Sequence, residues 1–398
     1  MTTNKTVITG VNALSALGTG YDALSANLGT APAVTAQQEY EFHSLDTALP
    51  AYRIPDYDPV AVLGKKGLRT KDWPTKLLLG TIEQAFKDIL ESADPESKPG
   101  LCIGTAFGSV QSIGDFLSDS IVNGVNAVNP MKFGNTVINA PTGNANIRFG
   151  IRSLSSTVAS GYNASMDALV YATDHIRCGY LESILVGGLE EVSYYGLVGL
   201  LRSGVLSKAG VSRPFAADGD GLVMGEGCAV CLLESADAAT ARGATVLAEI
   251  AGTAATFDRG SAGGFNPHAA GALAAVKMAC EDAGIAPSDI GFVAANANGL
   301  RPADAMEATV LRELLPDTPV VAYKSRIGEC YGASSALVTA CALADMAHGT
   351  VTGIPAEYNV MEGLDLVVDR RTIDAEYVLV NSYSCDGNCG SIVLKRPR

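Results

Sequence analysis

Short apolar segments alternate with segments of helical periodicity along most of this chain, and this alternation limits the possible folds more than any other feature. The apolar segments predict buried strands at 100–105, 183–188, 226–234, 245–253, 291–297, 319–323 and 376–381. The periodic segments predict helices at 74–93, 161–177, 269–283, 302–315 and 333–348. Strands that alternate with helices form parallel-rich sheets covered on both faces. We therefore predict an α/β protein of two similar halves, residues 1–245 and 246–398, fused without a linker.

Two segments do not fit this alternation. Residues 31–60 show no clear periodicity, which predicts a loop. Residues 109–136 are polar and rich in glycine and asparagine, with an amphipathic stretch at 111–122. We interpret this second segment as a cap or a dimer element.

The charge of the chain restricts its partners. The sequence has 28 Lys and Arg against 42 Asp and Glu, a net charge of −14. Such a surface repels nucleic acid and anionic membranes, so we expect neither as a partner. It also repels an acidic carrier protein, which would need a partner subunit or a local basic patch in order to bind.

The sequence also indicates where the protein is located. No apolar stretch approaches the ~18 residues of a membrane span, and the start MTTNKTVITG does not resemble a signal peptide. We expect a cytoplasmic protein.

The nine cysteines do not indicate a metal site. Cys228 and Cys231 form a CxxC within the apolar run CAVCLLE, which predicts a buried strand. Without a second pair of ligands this spacing does not predict zinc. We predict buried free thiols, no metal and no cofactor.

The first of three informative motifs is Ser156–Gly161 (STVASG), at the junction of a predicted strand and helix. It resembles the T-A-C-A-S-G motif of the β-ketoacyl synthases, or ketosynthases. There the cysteine begins a helix, whose N-terminus stabilises the thiolate that attacks an acyl thioester. Val158 stands at the cysteine position, and its isopropyl group cannot carry an acyl chain.

The second motif is Asn296–Gly299 (NANG), which resembles the start of the ketosynthase motif N-A-H-G-T-x-T-P-x-x-D-x-x-E. Asn298 stands at the position of the first catalytic histidine. Asp304 and Glu307 match the acidic positions that follow. The loop is two residues shorter than in the family, and both threonines are missing.

The third motif is Lys324–Glu329 (KSRIGE), which resembles K-S-x-x-G-H. Lys324 is retained, and Glu329 replaces the second catalytic histidine. The Glu329 carboxyl could be a new acid or base, or it could pair with Lys324 or Arg326 and stabilise the pocket. We favour the pairing, because a buried carboxylate needs a charged partner.

Further matches extend the resemblance over nearly all 398 residues. Arg213–Gly227 resembles R-P-F-D-x-x-x-D-G-F-V-x-G-E-G, and Asn381–Gly387 resembles N-S-F-G-F-G-G, with Cys385 at the position of the gating phenylalanine. The resemblance implies a thiolase-like fold, in which two similar α/β halves form a five-layer α-β-α-β-α body.

The resemblance also implies a function without catalysis. Condensation needs a nucleophile, two neutral imidazoles and an oxyanion hole, and no catalytic residue remains at the three motif positions. Ketosynthases are dimers in which each subunit completes its neighbour's pocket. We therefore predict a non-catalytic chain-length factor (ketosynthase-beta type) of a type II polyketide system. It would form a heterodimer with an active ketosynthase and shape the acyl tunnel during chain elongation. The elongated chain would be an aromatic polyketide, a polyene polyketide or a fatty-acid-like chain.

The same resemblance suggests where the partners bind. The subunits of the family join through the edge strand near the nucleophile helix, which we place at about 183–188, with 109–136 reaching across to the partner. The acyl carrier protein is expected to dock mainly on the active ketosynthase.

Two other functions remain open. A self-standing acyltransferase or thioesterase would need relocated nucleophiles, for which the candidates are Ser160, Cys330, Cys385 and Cys389. Ser160 matches a structural serine of the family motif, and the chain's four histidines lie outside the motifs: His43, His175, His268 and His348. We favour inert thiols. A scaffold without tunnel contact is the third possibility.

Overall fold

The computed structural model describes residues 4–94, 97–355 and 358–397. Its strands are β1 Thr6–Ser15, β2 Gly18–Thr19, β3 Val34–Glu39, β4 Ser44–Tyr52, β5 Gly100–Gly104, β6 Ser155–Val158, β7 Ser183–Glu190, β8 Gly227–Ser235, β9 Ala248–Phe257, β10 Ile290–Ala294, β11 Val320–Val321, β12 Thr350–Thr352, β13 Arg370–Thr372, β14 Tyr377–Tyr383 and β15 Asn388–Lys395. Its α-helices are α1 Tyr21–Asn27, α2 Pro59–Leu63, α3 Trp73–Ser92, α4 Val110–Val122, α5 Ala140–Phe149, α6 Ala164–Arg177, α7 Tyr194–Arg202, α8 Ala236–Ala241, α9 Ala270–Ala283, α10 Arg301–Leu314, α11 Lys324–Ile327 and α12 Ser334–His348.

The main sheet repeats one strand order in its two halves. The order is β1-β8-β7-β5-β6 in the first half and β9-β15-β14-β10-β11 in the second, and β1 pairs with β9 at the centre. β5 is parallel to β6 and β7, and β10 is parallel to β11 and β14. The other neighbours are antiparallel. The expectation of parallel-rich sheets is therefore correct only for the outer three strands of each half.

The helices form three layers around the two half-sheets. α6 and α12 lie between the half-sheets, where Leu169 and Leu337 share a buried cluster with Val186 of β7 and Val380 of β14. α3 and α5 cover the outer face of the first half-sheet, and α9 and α10 cover that of the second. This is the predicted five-layer α-β-α-β-α arrangement.

The start and the apolar face of α3 follow directly from its sequence. Asp72 accepts a hydrogen bond from the Thr75 amide at 3.1 Å, which caps the helix. Leu78, Ile82 and Phe86 recur every four residues and are buried on one face. The prediction of a helix at 74–93 is confirmed.

The prediction of a loop at 31–60 is wrong. β3 and β4 form an antiparallel hairpin, and α2 follows at the end of the segment. β3 is almost entirely exposed, so it lacks the alternation of apolar and polar residues that marks a half-buried strand.

The predicted partner strand at 183–188 is also misplaced. This segment is β7, which lies between β8 and β5 and uses both edges for backbone hydrogen bonds. The open edge of the first half-sheet is β6, which pairs with β5 alone among the described strands.

The amphipathic stretch predicted at 111–122 is found as α4, which buries none of its side chains. Several apolar residues on and after this helix are exposed: Leu117, Ile121, Val122, Val125, Met131 and Phe133.

Cys228 and Cys231 are buried in β8, as predicted. In the described ranges no set of His, Cys, Asp or Glu side chains could hold a metal ion. None of the described helices has the length and hydropathy to cross a bilayer.

Candidate functional site

Val158 is the last residue of β6, the outermost strand of the first half-sheet. Its carbonyl oxygen accepts a hydrogen bond from the Thr105 amide at 3.0 Å, and its half-buried side chain packs against the central core. A 3-10 turn at Gly161–Asn163 then leads into α6. The geometry is a strand-to-helix junction, but the side chain at position 158 has no atom that could attack a thioester.

The loop that holds Asn298 is fixed by two carboxyl groups from the start of α10. Asp304 accepts hydrogen bonds from the amides of Asn298 and Phe215 at 2.9 and 2.8 Å. Glu307 accepts from the amides of Asn296 and Ala297 at 3.0 and 2.7 Å. Burial raises the pKa of Asp304 to about 7 and also raises that of Glu307, against the opposing effect of these amides. The two retained acidic residues therefore hold the shape of the loop.

Glu329 lies at the centre of a buried hydrogen-bond network. Its Oε2 accepts from Asn298 Nδ2 at 2.6 Å and from Lys324 Nζ at 2.9 Å. Its Oε1 accepts from Ser334 Oγ at 2.6 Å and from the Tyr331 amide at 2.9 Å. Burial alone would raise the pKa of Glu329, but the Lys324 ammonium and the Ser334 and Asn298 hydrogen bonds hold it below its ordinary value. The carboxylate therefore stays ionised, and it pairs with Lys324.

The polar atoms of Asn298 are occupied inside the protein. Its amide nitrogen donates to Glu329, and its Oδ1 accepts from the Leu300 amide at 3.0 Å. Lys324 donates in addition to Asn296 Oδ1 at 2.9 Å. Asn298 and Glu329 are thus joined directly by one hydrogen bond, and Lys324 links Glu329 to Asn296.

Aromatic rings fill the space beside this network. Tyr331 is buried, with a left-handed φ of 45°, and its ring centroid lies 4.6 Å from that of Tyr162 and 5.0 Å from that of Phe107. Tyr162 and Cys385 line a cleft of about 460 Å³, together with Leu222, Phe265 and Leu300. Burial raises the pKa of the Cys385 thiol, which makes it a poor nucleophile.

Among the described contacts, none of the other candidate nucleophiles is hydrogen-bonded to an imidazole. Ser160 donates a hydrogen bond to Asp167. Burial raises the pKa of Cys330 well above its ordinary value and that of Cys389 to about 12. The histidines lie in the β3–β4 hairpin (His43), in α6 (His175), before α9 (His268) and at the end of α12 (His348).

Glu190 is a member of this region that sequence analysis missed. It ends β7 and accepts hydrogen bonds from the amides of Ala106, Phe107 and Gly332 at 2.7, 3.1 and 3.2 Å. Burial raises its pKa to about 8, against the effect of these donors. An acidic pair directly after an apolar strand, GGLEE, is the signal that could have revealed it.

Comparison with known families explains both the three motifs and the layered fold. The N-terminal domain of the β-ketoacyl synthases matches residues 4–239, and their C-terminal domain matches 247–357. The chain belongs to the β-ketoacyl synthase family. From the motifs we predict that Val158, Asn298 and Glu329 stand at the positions of the family's cysteine and two histidines.

Relatives of this β-ketoacyl synthase chain extend over its full length. The tetracenomycin polyketide synthase ketoacyl synthase beta subunit of Streptomyces glaucescens is 30% identical over 411 residues, covering 98% of each chain. The 3-oxoacyl-(acyl-carrier-protein) synthase 2 of Coxiella burnetii is 26% identical over 412 residues, covering 100% of this chain and 99% of the relative. The solved ishigamide ketosynthase/chain length factor has a TM-score of 0.91 at 24% identity, covering 100% of both chains. The predicted thiolase-like fold is confirmed.

Proposed function

We propose that this chain is a non-catalytic chain-length factor that pairs with an active ketosynthase and shapes its acyl tunnel during polyketide elongation. One observation carries the proposal: the residue at the nucleophile position is Val158, while Asn298 and Glu329 bind each other at 2.6 Å. The name of the Streptomyces glaucescens relative, a ketoacyl synthase beta subunit of a polyketide synthase, supports the same role.

The chemistry of the three positions argues against condensation by this chain alone. No thiol at position 158 can accept the acyl group. The amide of Asn298 is a poor proton relay, and both of its polar atoms have protein partners. An ionised Glu329 would repel the carboxylate of a malonyl thioester. A condensing pocket therefore has to come from another subunit.

The open edge of β6 and exposed apolar residues of the first half give such a subunit candidate contacts. Ile121, Val125 and Ile147 are 82%, 79% and 84% exposed. A large exposed apolar patch marks an interaction site, and an unpaired edge strand can accept a strand from another chain. We infer that the ketosynthase covers this face, with β6 replacing 183–188 as the contacting strand.

A basic groove offers a contact for the acyl carrier protein on this subunit, in addition to its docking on the partner. The groove, of about 440 Å³, has an apolar floor that includes Leu68 and Trp73, and its rim includes Lys65, Arg69 and Lys76. Lys66 and Lys71 belong to the same segment. On a chain of net charge −14 this cluster would attract an acidic carrier.

The alternative of a self-standing acyltransferase or thioesterase gains no support at the positions considered for it. Ser160 is bonded to a carboxyl group instead of an imidazole, and the buried thiols have raised pKa values.

Co-expression with a ketosynthase that has an intact Cys-His-His set tests the proposal. We expect a heterodimer that extends malonyl units on the carrier protein to a defined length, and no elongated product or acyl adduct from this chain alone. Product assays and intact mass after incubation with acyl thioesters provide the measurement. A stable monomer that ignores the ketosynthase, or that is itself acylated, would overturn the proposal.

A further inference from the structure

The tip of the β3–β4 hairpin reaches across the surface to α4 and α7. His43 Nε2 lies 2.9 Å from Ser118 Oγ of α4 and 2.9 Å from Tyr195 OH of α7, and these two hydroxyls are 3.2 Å apart. The imidazole also stacks on Tyr194, with a centroid distance of 4.7 Å and 9° between the planes. One histidine of the hairpin therefore ties together two helices that are distant in sequence.

The position of α4 depends on such contacts because the helix buries none of its side chains. Where α4 meets α7, Gly114 lies under the Tyr195 ring, and a Cβ at this position would be 1.9 Å from that ring. On another side α4 contributes Ser112 and Asp115 to a cleft of about 560 Å³.

Hydrogen bonds of Gln111 with the Tyr194 amide and with Glu191 hold the start of α4, and the contacts of His43 hold its middle. A helix with half-buried side chains depends on such specific contacts more than on core packing.

We propose that the β3–β4 hairpin is a brace for α4. Through Ser118 and Tyr195, His43 fixes the helix whose exposed Leu117 and Ile121 face outward, and the brace thereby sets the length of the carrier-bound acyl chain that the heterodimer makes. The effect on chain length rests on the proposed function and on the predicted reach of 109–136 across to the partner's tunnel, whereas the bracing of α4 does not. His43 and Tyr195 are positioning residues, since they act through α4.

The expected effect on chain length depends on how rigid α4 is as part of the tunnel wall. A chain that overfills a rigid cavity raises the free energy steeply. A wall that can move relaxes this penalty, so longer chains are no longer rejected sharply. Releasing α4 should therefore broaden the distribution of product lengths.

Hydrogen exchange on the purified chain tests the brace without any partner. His43→Phe keeps a ring on Tyr194 but removes both hydrogen bonds. We expect the amides of α4 to exchange about tenfold faster, with those of α6 unchanged. His175→Phe is the matched control, because the ring of His175 lies 4.1 Å from that of Tyr171 in α6, tilted by 47°. Equal exchange of α4 in the wild type and His43→Phe would overturn the brace.

Product analysis of the reconstituted heterodimer tests the consequence for chain length. His43→Phe and Tyr195→Phe, which retains the ring over Gly114, should each spread the products by about one two-carbon unit or more, with the dissociation constant of the heterodimer changed less than about threefold. Wild-type product lengths in both variants would overturn the length-setting role. If the wild-type pair makes no product, the proposed function fails, and the exchange measurement still decides the brace.

Discussion

Lys324 Nζ and Glu329 Oε2 lie 2.9 Å apart, and both side chains are almost completely buried. The remaining oxygen of the carboxylate accepts hydrogen bonds from Ser334 and the Tyr331 amide, so the buried charge is satisfied on every side. Glu329 therefore connects the loop of Asn298 to the start of α11 at Lys324.

Breaking this tie should be costly. Glu329→Leu leaves the Lys324 ammonium buried without its charge partner, which we expect to lower the free energy of unfolding by about 3–5 kcal/mol. Lys324→Met combined with Glu329→Leu should cost less than the sum of the single changes. Urea unfolding provides the measurement. The exposed pair Lys277 and Glu313, 3.6 Å apart, is the control, and Glu313→Leu should cost less than about 1 kcal/mol. Strict additivity at 324 and 329 would contradict the prediction.

Stability should decrease as the pH rises through the neutral range. Burial raises the pKa of Glu190 from 4.5 to about 8, so between these values the folded chain holds a proton that the unfolded chain has lost. The free energy of unfolding then falls with rising pH, by at most about 1.4 kcal/mol per pH unit for this group. Glu190→Gln should reduce the slope, as measured by urea unfolding at a series of pH values. Asp304, with a pKa of about 7, accounts for part of the slope that remains. An identical slope in the variant would refute the assignment.

Restoring the thiol alone should not restore condensation. Val158→Cys places a thiol just before the 3-10 turn that leads into α6, where a helix N-terminus favours the thiolate. We expect alkylation by iodoacetamide but no chain-extended product from the isolated chain, because Asn298 and Glu329 remain bound to each other. Intact mass and product analysis are the measurements, with the wild type as the unlabelled control at this position. An elongated product from the single polypeptide would contradict the prediction.

The edge of β6 should be necessary for pairing with the ketosynthase. The carbonyls of Leu154 and Val158 accept hydrogen bonds from β5, so by alternation the Thr157 amide points to the open edge. Thr157→Pro removes this donor and should raise the dissociation constant of the heterodimer at least about tenfold. Thr157→Val is the matched control, since it loses the same hydroxyl contact to Thr142 but keeps the amide. Equal affinities of the two variants, measured by titration, would exclude this edge from the interface.

The basic groove should contribute to carrier binding. Lys65→Glu combined with Arg69→Glu reverses two charges at its rim, and we expect the affinity of the heterodimer for the acyl carrier protein to fall about tenfold at low salt. Lys277→Glu on α9 changes charge elsewhere and should have little effect. A loss of the same size in both variants would indicate a general charge effect instead of a docking site.

The sequence best predicts the helices and strands whose apolar residues are the ones that the fold buries. α3 and α12 have strong apolar patterns and are found where expected. Apolar residues mark strands that are buried on both faces, and SILVGG accordingly forms the interior strand β7. The edge strand SSTV is short and polar, so composition could not identify it as the edge.

At the site, the motifs located Val158, Asn298 and Glu329, but the partners of these residues depend on tertiary contacts. The sequence left Lys324 and Arg326 as alternatives for Glu329, and the structure selects Lys324. Glu190 binds the Gly332 amide across 142 residues of chain, a contact that no local pattern encodes. The β3–β4 hairpin escaped prediction for a similar reason, since its tip is held by α4 and α7.

The repeated strand order has a consequence for how such a protein diverges. β6 ends at Val158, and β11 occupies the same place in the second half and is followed by α11, which begins at Lys324. The order of the strands depends on backbone hydrogen bonds, in which the side chains at these two junctions take no part. Side chains at the ends of the outer strands can therefore change, and with them the chemistry that the site can perform, while the order of the strands is kept.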